Sequence, residues 1–150
     1  MSQVAQYFED QEAAAELVRE ADPIVYRTYQ FPARPDQPDI LTVITVIEPG
    51  RVGTQFFMTR GHFHASPDGA EVVIGISGTG RLLLQGRDGV LATLPIAPRC
   101  LAYVPAGYAH RAVNTGEEPL VFVSLCRADV GHDYDTARRL NFRETGRQVG

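Results

Sequence analysis

The feature that most limits this chain is a succession of short runs, apolar or alternating, each closed by Gly, Pro or Asp. They fall at residues 41–47, 55–59, 71–77, 81–85, 89–95, 100–104 and 120–126. None is long enough for an ordinary helix, and β-branched or aromatic residues recur in them. Short strands with turn signals every ~8–12 residues are the pattern of an antiparallel sandwich or barrel. Gly78-Thr79-Gly80 and Gly86-Arg87-Asp88-Gly89 read as hairpin turns, because glycine reaches positive φ without steric cost.

Ahead of these runs, residues 9–20 carry helix formers with acids in the first turn, where they complement the helix dipole. Ala21-Asp22-Pro23 stops that helix, residues 24–31 read as a leading strand, and Pro32, Pro35 and Pro38 mark a loop. A short helical turn is expected at 135–140. The 150 residues suit one core. We expect a single domain over 1–150, with helix and leading strand in about 1–40, the barrel in about 41–126 and a tail in 127–150.

Composition removes several functions. All 14 basic side chains are arginine, so a lysine Schiff base, a lysine general base and a P-loop are excluded. A net charge of −4, with no basic run, repels polyanions and argues against a nucleic-acid partner. No apolar stretch approaches the ~18 residues a membrane span needs, and the start of the chain is polar and acidic. A soluble, cytoplasmic protein without a membrane partner is expected. Cys100 and Cys126 lie in apolar stretches without CxxC spacing and read as reduced thiols.

The chemistry concentrates around four histidines. In Gly61-His62-Phe63-His64, residues i and i+2 of a strand face the same side, so both imidazoles point one way and Phe63 the other. A polar surface strand or a packed histidine pair is the alternative for an isolated pair. Glu71 opens an apolar run where an unpartnered buried acid is costly. His110 follows the run 100–104. Three imidazoles and a carboxylate would fill part of an octahedral shell and leave positions for substrate oxygens. Such a mixed N/O set suits Fe2+, Mn2+, Ni2+ or Zn2+.

Two spaced motifs carry a resemblance. His62-x-His64, six residues, Glu71, six residues and Gly78, followed by Pro105-x-Gly107-x-x-His110-x-x-x-Asn114, resemble the two motifs of the cupin superfamily. Arg99 stands where the second motif usually begins with glycine, which affects a turn and no ligand. Further segments narrow the likeness to the archaeal-type, cupin glucose-6-phosphate isomerases: Asp22-Pro-x-Val-Tyr26, Glu48-Pro-Gly-x-Val-Gly, Phe56-Phe-x-Thr-x-Gly-His-Phe-His, Ala70-Glu-Val, Tyr103-Val-Pro, Ala109-His-Arg-x-Val-Asn-x-Gly-x-Glu-Pro and Gly131-His-Asp-Tyr134. The likeness covers about residues 22–142.

The resemblance implies an all-β fold, the cupin double-stranded β-helix or jelly-roll barrel, with a short N-terminal helix. It implies one divalent metal per subunit, with iron foremost, at His62, His64, Glu71 and His110. It also implies interconversion of glucose 6-phosphate and fructose 6-phosphate through an enediolate or a hydride shift. Glu71 would then carry the proton and His132 assist, while the sugar phosphate meets Tyr26, Thr45, Thr59, Gly61 and Tyr134. Without lysine, the phosphate site relies on hydroxyls and amides, helped by an arginine such as Arg60 or Arg111. A homodimer is implied too, its sheets pairing and the leading strand adding to a partner's edge. Val73 and Cys126 stand where the family often has tyrosine, which removes two phenol hydroxyls from the cavity. The residues leave open a non-catalytic sugar-phosphate-binding cupin, an isomerase of another sugar phosphate, and an Fe(II) dioxygenase.

Overall fold

The computed structural model describes residues 1–89, 91–137, 140 and 142. Helix α1 (Gln11–Glu20) begins where the Asp10 carboxylate accepts from the Ala13 amide at 2.9 Å, and it ends ahead of Pro23. It is the only helix of any length among the described residues, and none is long and apolar enough to cross a membrane. The terminal helical turn, α2, spans Tyr134–Ala137; part of the expected 135–140 lies outside the described residues.

All sheet pairing among the described residues is antiparallel. One sheet has the order β1-β2-β11-β6-β9, formed by Tyr26–Gln30, Ile40–Ile47, Leu120–Arg127, Glu71–Ser77 and Leu101–Val104. A second has the order β10-β7-β8, formed by Tyr108–Asn114, Gly80–Gly86 and Leu91–Ile96. Two short ribbons complete the fold: β3 (Arg51–Val52) with β4 (Gln55–Phe56), and β5 (Phe63–His64) with β12 (His132–Asp133). The two larger sheets enclose Ile47, Leu82, Ile96, Val104 and Leu120, all fully buried. Pro95 sits on β8, the edge strand, where its missing N–H breaks no interior ladder.

Several expectations change. Residues 78–80 are a corner between sheets instead of a hairpin turn, since β6 and β7 belong to different sheets. Gly78 has φ +74°, and a Cβ there would stand 2.5 Å from the Pro119 carbonyl oxygen, so the corner needs glycine. Residues 86–89 do turn the β7–β8 hairpin, with the Gly89 amide on the Gly86 carbonyl at 3.0 Å. The 55–59 run shrinks to β4 plus a bridge between Met58 and Val113. Strand β10 has no clear counterpart among the apolar runs, yet it pairs with β7 along its whole length. The leading strand β1 pairs with β2 of its own chain and forms one edge of that sheet. Both cysteines are free and half-buried.

Strand alternation decides what faces the interior. Leu41, Val43 and Thr45 of β2, Glu71 and Val73 of β6, Phe122, Ser124 and Cys126 of β11, and His110 and Ala112 of β10 all line one cavity.

Candidate metal centre and substrate cavity

Each of the two larger sheets and the β5–β12 ribbon contributes one residue to a cluster, and His62, in an isolated bridge, adds the fourth. Glu71 is the first residue of β6, held between Cys126 of β11 and Val104 of β9. His110 comes from β10. His62 is joined to it by a two-way backbone bridge, His62 N to His110 O at 3.2 Å and His110 N to His62 O at 3.0 Å. His64 follows on β5, while Phe63 between them is buried in the core. The imidazoles lie close, with ring centroids 4.2 Å apart for His62 and His110, 5.2 Å for His64 and His110, and 5.6 Å for His62 and His64.

His64 shows how the backbone presets the cluster. Its Nδ1 lies 3.0 Å from the Gly69 carbonyl, which can only accept, so the ring proton sits on Nδ1. A Cβ on residue 69 would come within 2.7 Å of the His64 Cβ, so glycine permits this approach. His64 Nε2 therefore faces Glu71 Oε2, 3.2 Å away, as a lone pair when the ring is neutral and as a donor when it is protonated. The same oxygen is 3.4 Å from His110 Nε2. A carboxylate facing a neutral imidazole's lone pair is repulsive unless a proton or a cation stands between them.

The charge states follow from the surroundings. Burial opposes the Glu71 charge, but His110, His64 and His62 outweigh it and hold the carboxyl well below its usual range. Burial, with the charges of His110 and His132, pushes His62 well below the ordinary imidazole value. Burial also opposes protonation of His64, yet the bonds to Glu71 and Gly69 leave it raised. One donor atom from each of His62, His64, Glu71 and His110 lies within 4.8 Å of all the others. His62 Nε2 and both ring nitrogens of His110 are buried without a hydrogen-bond partner among the described residues. Orphaned imidazole nitrogens around a carboxylate fit a divalent cation.

The cavity above the cluster measures about 120 Å³, far more than the ~10–15 Å³ that holds one water. His132, opposite His64 on β12, lies at its rim with its ring 4.6 Å from that of His62. Burial first, then the His64 charge, lowers its pKa. Tyr134 stacks on His132 at 5.6 Å and 10°. Tyr26, Thr45 and Thr59 line the wall. Burial raises the Tyr26 phenol. Thr59 Oγ1 accepts from the Ala112 amide at 3.1 Å, which leaves its proton to donate into the cavity.

Two expected residues are placed elsewhere. Gly61 is not among the residues lining the cavity and is buried beneath the Phe142 ring. Arg111 also points away, because strand alternation sends it to the face opposite His110. It is buried 4.7 Å from the Phe142 ring with Nη1 on Met58 Sδ at 3.4 Å, and burial brings its pKa down to about 10. Arg60 does line the cavity. So do Thr28 and Ser124, which sequence reasoning missed. Their signal was strand parity, since each lies two residues from another lining residue, Tyr26 or Cys126. Val73 and Cys126 face the cavity, and burial raises the Cys126 thiol to about 12.

A profile of the family described as "Glucose-6-phosphate isomerase (GPI)" matches residues 2–144. The chain belongs to the glucose-6-phosphate isomerase family. It is 44% identical over 142 residues to the glucose-6-phosphate isomerase of Thermococcus kodakarensis, covering 95% of this chain and 75% of the relative. It is 42% identical over the same span and coverage to that of Pyrococcus furiosus. Among solved structures, an oxalate decarboxylase of Bacillus subtilis with Mn(II) centres superposes with a TM-score of 0.59 at 26% identity, covering 73% of this chain. Its S161A mutant gives 0.62 at 25% over 75%. The chain spans 27% and 29% of the lengths of those two proteins. This member of the isomerase family is thus a cupin, an all-β barrel with one short helix.

Proposed function

We propose that this chain interconverts glucose 6-phosphate and fructose 6-phosphate at one divalent cation held by His62, His64, Glu71 and His110, in the cytoplasm. The convergence of four donor atoms within 4.8 Å, with buried ring nitrogens of His62 and His110 lacking hydrogen-bond partners among the described residues, carries this reading. The Mn(II) centres named for the solved neighbour and the isomerase names of the relatives support it. The proposed ion is Fe2+, with Mn2+, Ni2+ and Zn2+ as the competing loads.

The bound cation would supply Lewis-acid stabilisation of the charge that develops on the sugar's O1 and O2. Glu71, ionised at neutral pH, takes the C2 proton and returns it at C1 while the O2 hydroxyl proton passes to O1, a role typically worth ~10²–10⁴-fold. His132, neutral at the rim, exchanges a proton with the ring oxygen as the sugar opens. Thr59 donates its hydroxyl proton to a phosphate oxygen, and Tyr26, Thr45 and Tyr134 are placed along the same wall. The apolar lining at Val73 and Cys126 favours, as a second reading, another sugar phosphate that needs no hydroxyl partner there.

We also propose a homodimer built on the outer face of the five-stranded sheet. One register row across it reads Tyr29, Ile44, Val123, Ile74 and Leu101, apolar on every strand. Tyr29 and Leu101 at its ends are 56% and 65% exposed. A second copy related by a two-fold axis would cover both, and light scattering that returns a monomer removes the proposal.

The deciding experiment loads purified protein with each metal and follows fructose 6-phosphate conversion in a coupled assay. Turnover should appear and chelation should abolish it. His62→Ala and His110→Ala should lose most bound metal in elemental analysis; full metal in both sinks the proposed shell. Saturable sugar-phosphate binding without turnover would make the chain a binding module.

A further inference from the structure

Strand β10 has a second face. Arg111 and Val113 leave it on the side away from the metal cluster, beside Leu83, the register partner of Arg111 on β7, and Met58, which bridges to Val113. Phe56 and Phe142 extend the same apolar wall. These residues line a cavity of about 530 Å³, within the ~300–1,000 Å³ usual for small-molecule sites. Among the described residues it shares none of its lining with the substrate cavity.

Arg111 is the cation of this second cavity, and it is only 8% exposed. Its Nη1 donates to the Met58 sulfur at 3.4 Å, a weak and uncharged acceptor, and its Nε is buried without a partner among the described residues. The Phe142 ring, 4.7 Å from the guanidinium carbon, offers its face and no acceptor atom. No described carboxylate pairs with Arg111. A guanidinium buried this way is costly, because neither water nor a counter-charge replaces the hydration that burial removed. Glu9 is the one acid among the described lining residues. It is exposed, so solvent screens its charge far more than that of Arg111.

We propose that this cavity is a second ligand site, which takes the carboxylate of a small apolar acid against Arg111. The two carboxylate oxygens match the guanidinium edge formed by Nε and Nη2, the edge that Met58 does not take. Met58, unbranched and adaptable, shifts to admit the head group. The apolar body of the acid lies against Phe56, Leu83, Val113 and Phe142. A phosphate dianion suits the cavity less well, since a single buried cation and an apolar wall leave most of its oxygens without donors. The proposal is independent of the isomerase reading, because it needs neither the metal nor the sugar.

The test uses benzoate and the metal-loaded protein. The chain has no tryptophan, so Phe56→Trp places a single indole at the cavity. Its emission should change saturably with benzoate and not with benzamide, the neutral analogue of the same shape. Saturating fructose 6-phosphate should leave that titration unchanged. In calorimetry, Arg111→Met should weaken benzoate binding by ~10–10²-fold, the loss expected when a hydrogen-bonded charge partner is removed. An indole that benzoate does not perturb overturns the proposal, as does an equal response to benzamide. Full benzoate affinity in Arg111→Met, or displacement of benzoate by fructose 6-phosphate, overturns it too. Where Arg111→Met does not fold, the indole titration decides alone.

Discussion

Asn114 closes β10 four residues after His110, and replacing it tests how that strand is held. The residue is fully buried. Its Nδ2 donates to the carbonyls of Ile47 and Glu118, both at 2.9 Å, and its Oδ1 accepts from the Gly116 amide at 3.0 Å. One side chain thus ties β10 to the end of β2 and to the loop leading into β11. Asn114→Ala removes three bonds worth ~1 kcal/mol each and leaves buried backbone groups without partners, for a total loss of ~3–4 kcal/mol. At ~2–4 °C per kcal/mol for a chain of this size, Tm should fall about 10 °C. Asn114→Asp keeps the shape but sets an acceptor against two carbonyls, so it should be no more stable than the alanine variant at pH 7. Calorimetry at equal metal occupancy decides. An alanine variant within ~1 kcal/mol of the parent, or an aspartate variant clearly above it, refutes the anchoring role.

Four further outcomes are expected. Glu71→Gln should keep much of its metal but lose at least ~10²-fold in turnover, because the amide cannot take a proton; metal and rate falling together would make Glu71 only a ligand. With chelator present, the protein should melt lower at pH 5 than at pH 7. His62 and His132 are depressed, so the unfolded chain takes up their protons below about 6.5 and stability is lost as pH falls, up to ~1.4 kcal/mol per pH unit for buried His62. His64, raised, works the other way, and Glu71, depressed, adds to the loss below about 4.5; an unchanged or higher Tm at pH 5 contradicts this balance. Arg99 sits at φ +69°, so Arg99→Gly should raise stability by ~0.5–1 kcal/mol in a denaturant titration, and no gain means the turn is unstrained. Cys126→Tyr should raise glucose 6-phosphate turnover, and an equal rate would show that a phenol there is dispensable.

The strands that begin and end on apolar runs were legible because period-2 alternation and glycine punctuation are local signals. Strand β6 matches its run residue for residue, and α1 starts beside its aspartate cap. Strand β10 was not legible: Tyr-Ala-His-Arg-Ala-Val-Asn mixes polar and charged residues, and pairing with β7 in space decides its conformation. The corner at 78–80 looked like a hairpin because its chemistry is that of a turn, and only long-range pairing shows which strands flank it. Within the site, the spacing of His62 and His64 encoded a shared face directly. Arg60 and Arg111, by contrast, are indistinguishable in sequence as cavity cations. What separates them is which face of the backbone each leaves from.

That facing has a consequence for the register of β10. His110 and Arg111 are neighbours on one strand, the first turned toward Glu71 and the second buried against Phe142 and Met58. A slip of one residue in the β10–β7 pairing would exchange them and bring a guanidinium among the imidazoles. It would also carry Asn114 away from the carbonyls of Ile47 and Glu118. The side chain that ends the second motif therefore does more than hold a loop: its hydrogen bonds exist only in the register that aims His110 at the cluster. Stability and site geometry are coupled at that point, and a variant that loosened Asn114 while remaining folded should spread the metal affinity of the population before it lost its secondary structure.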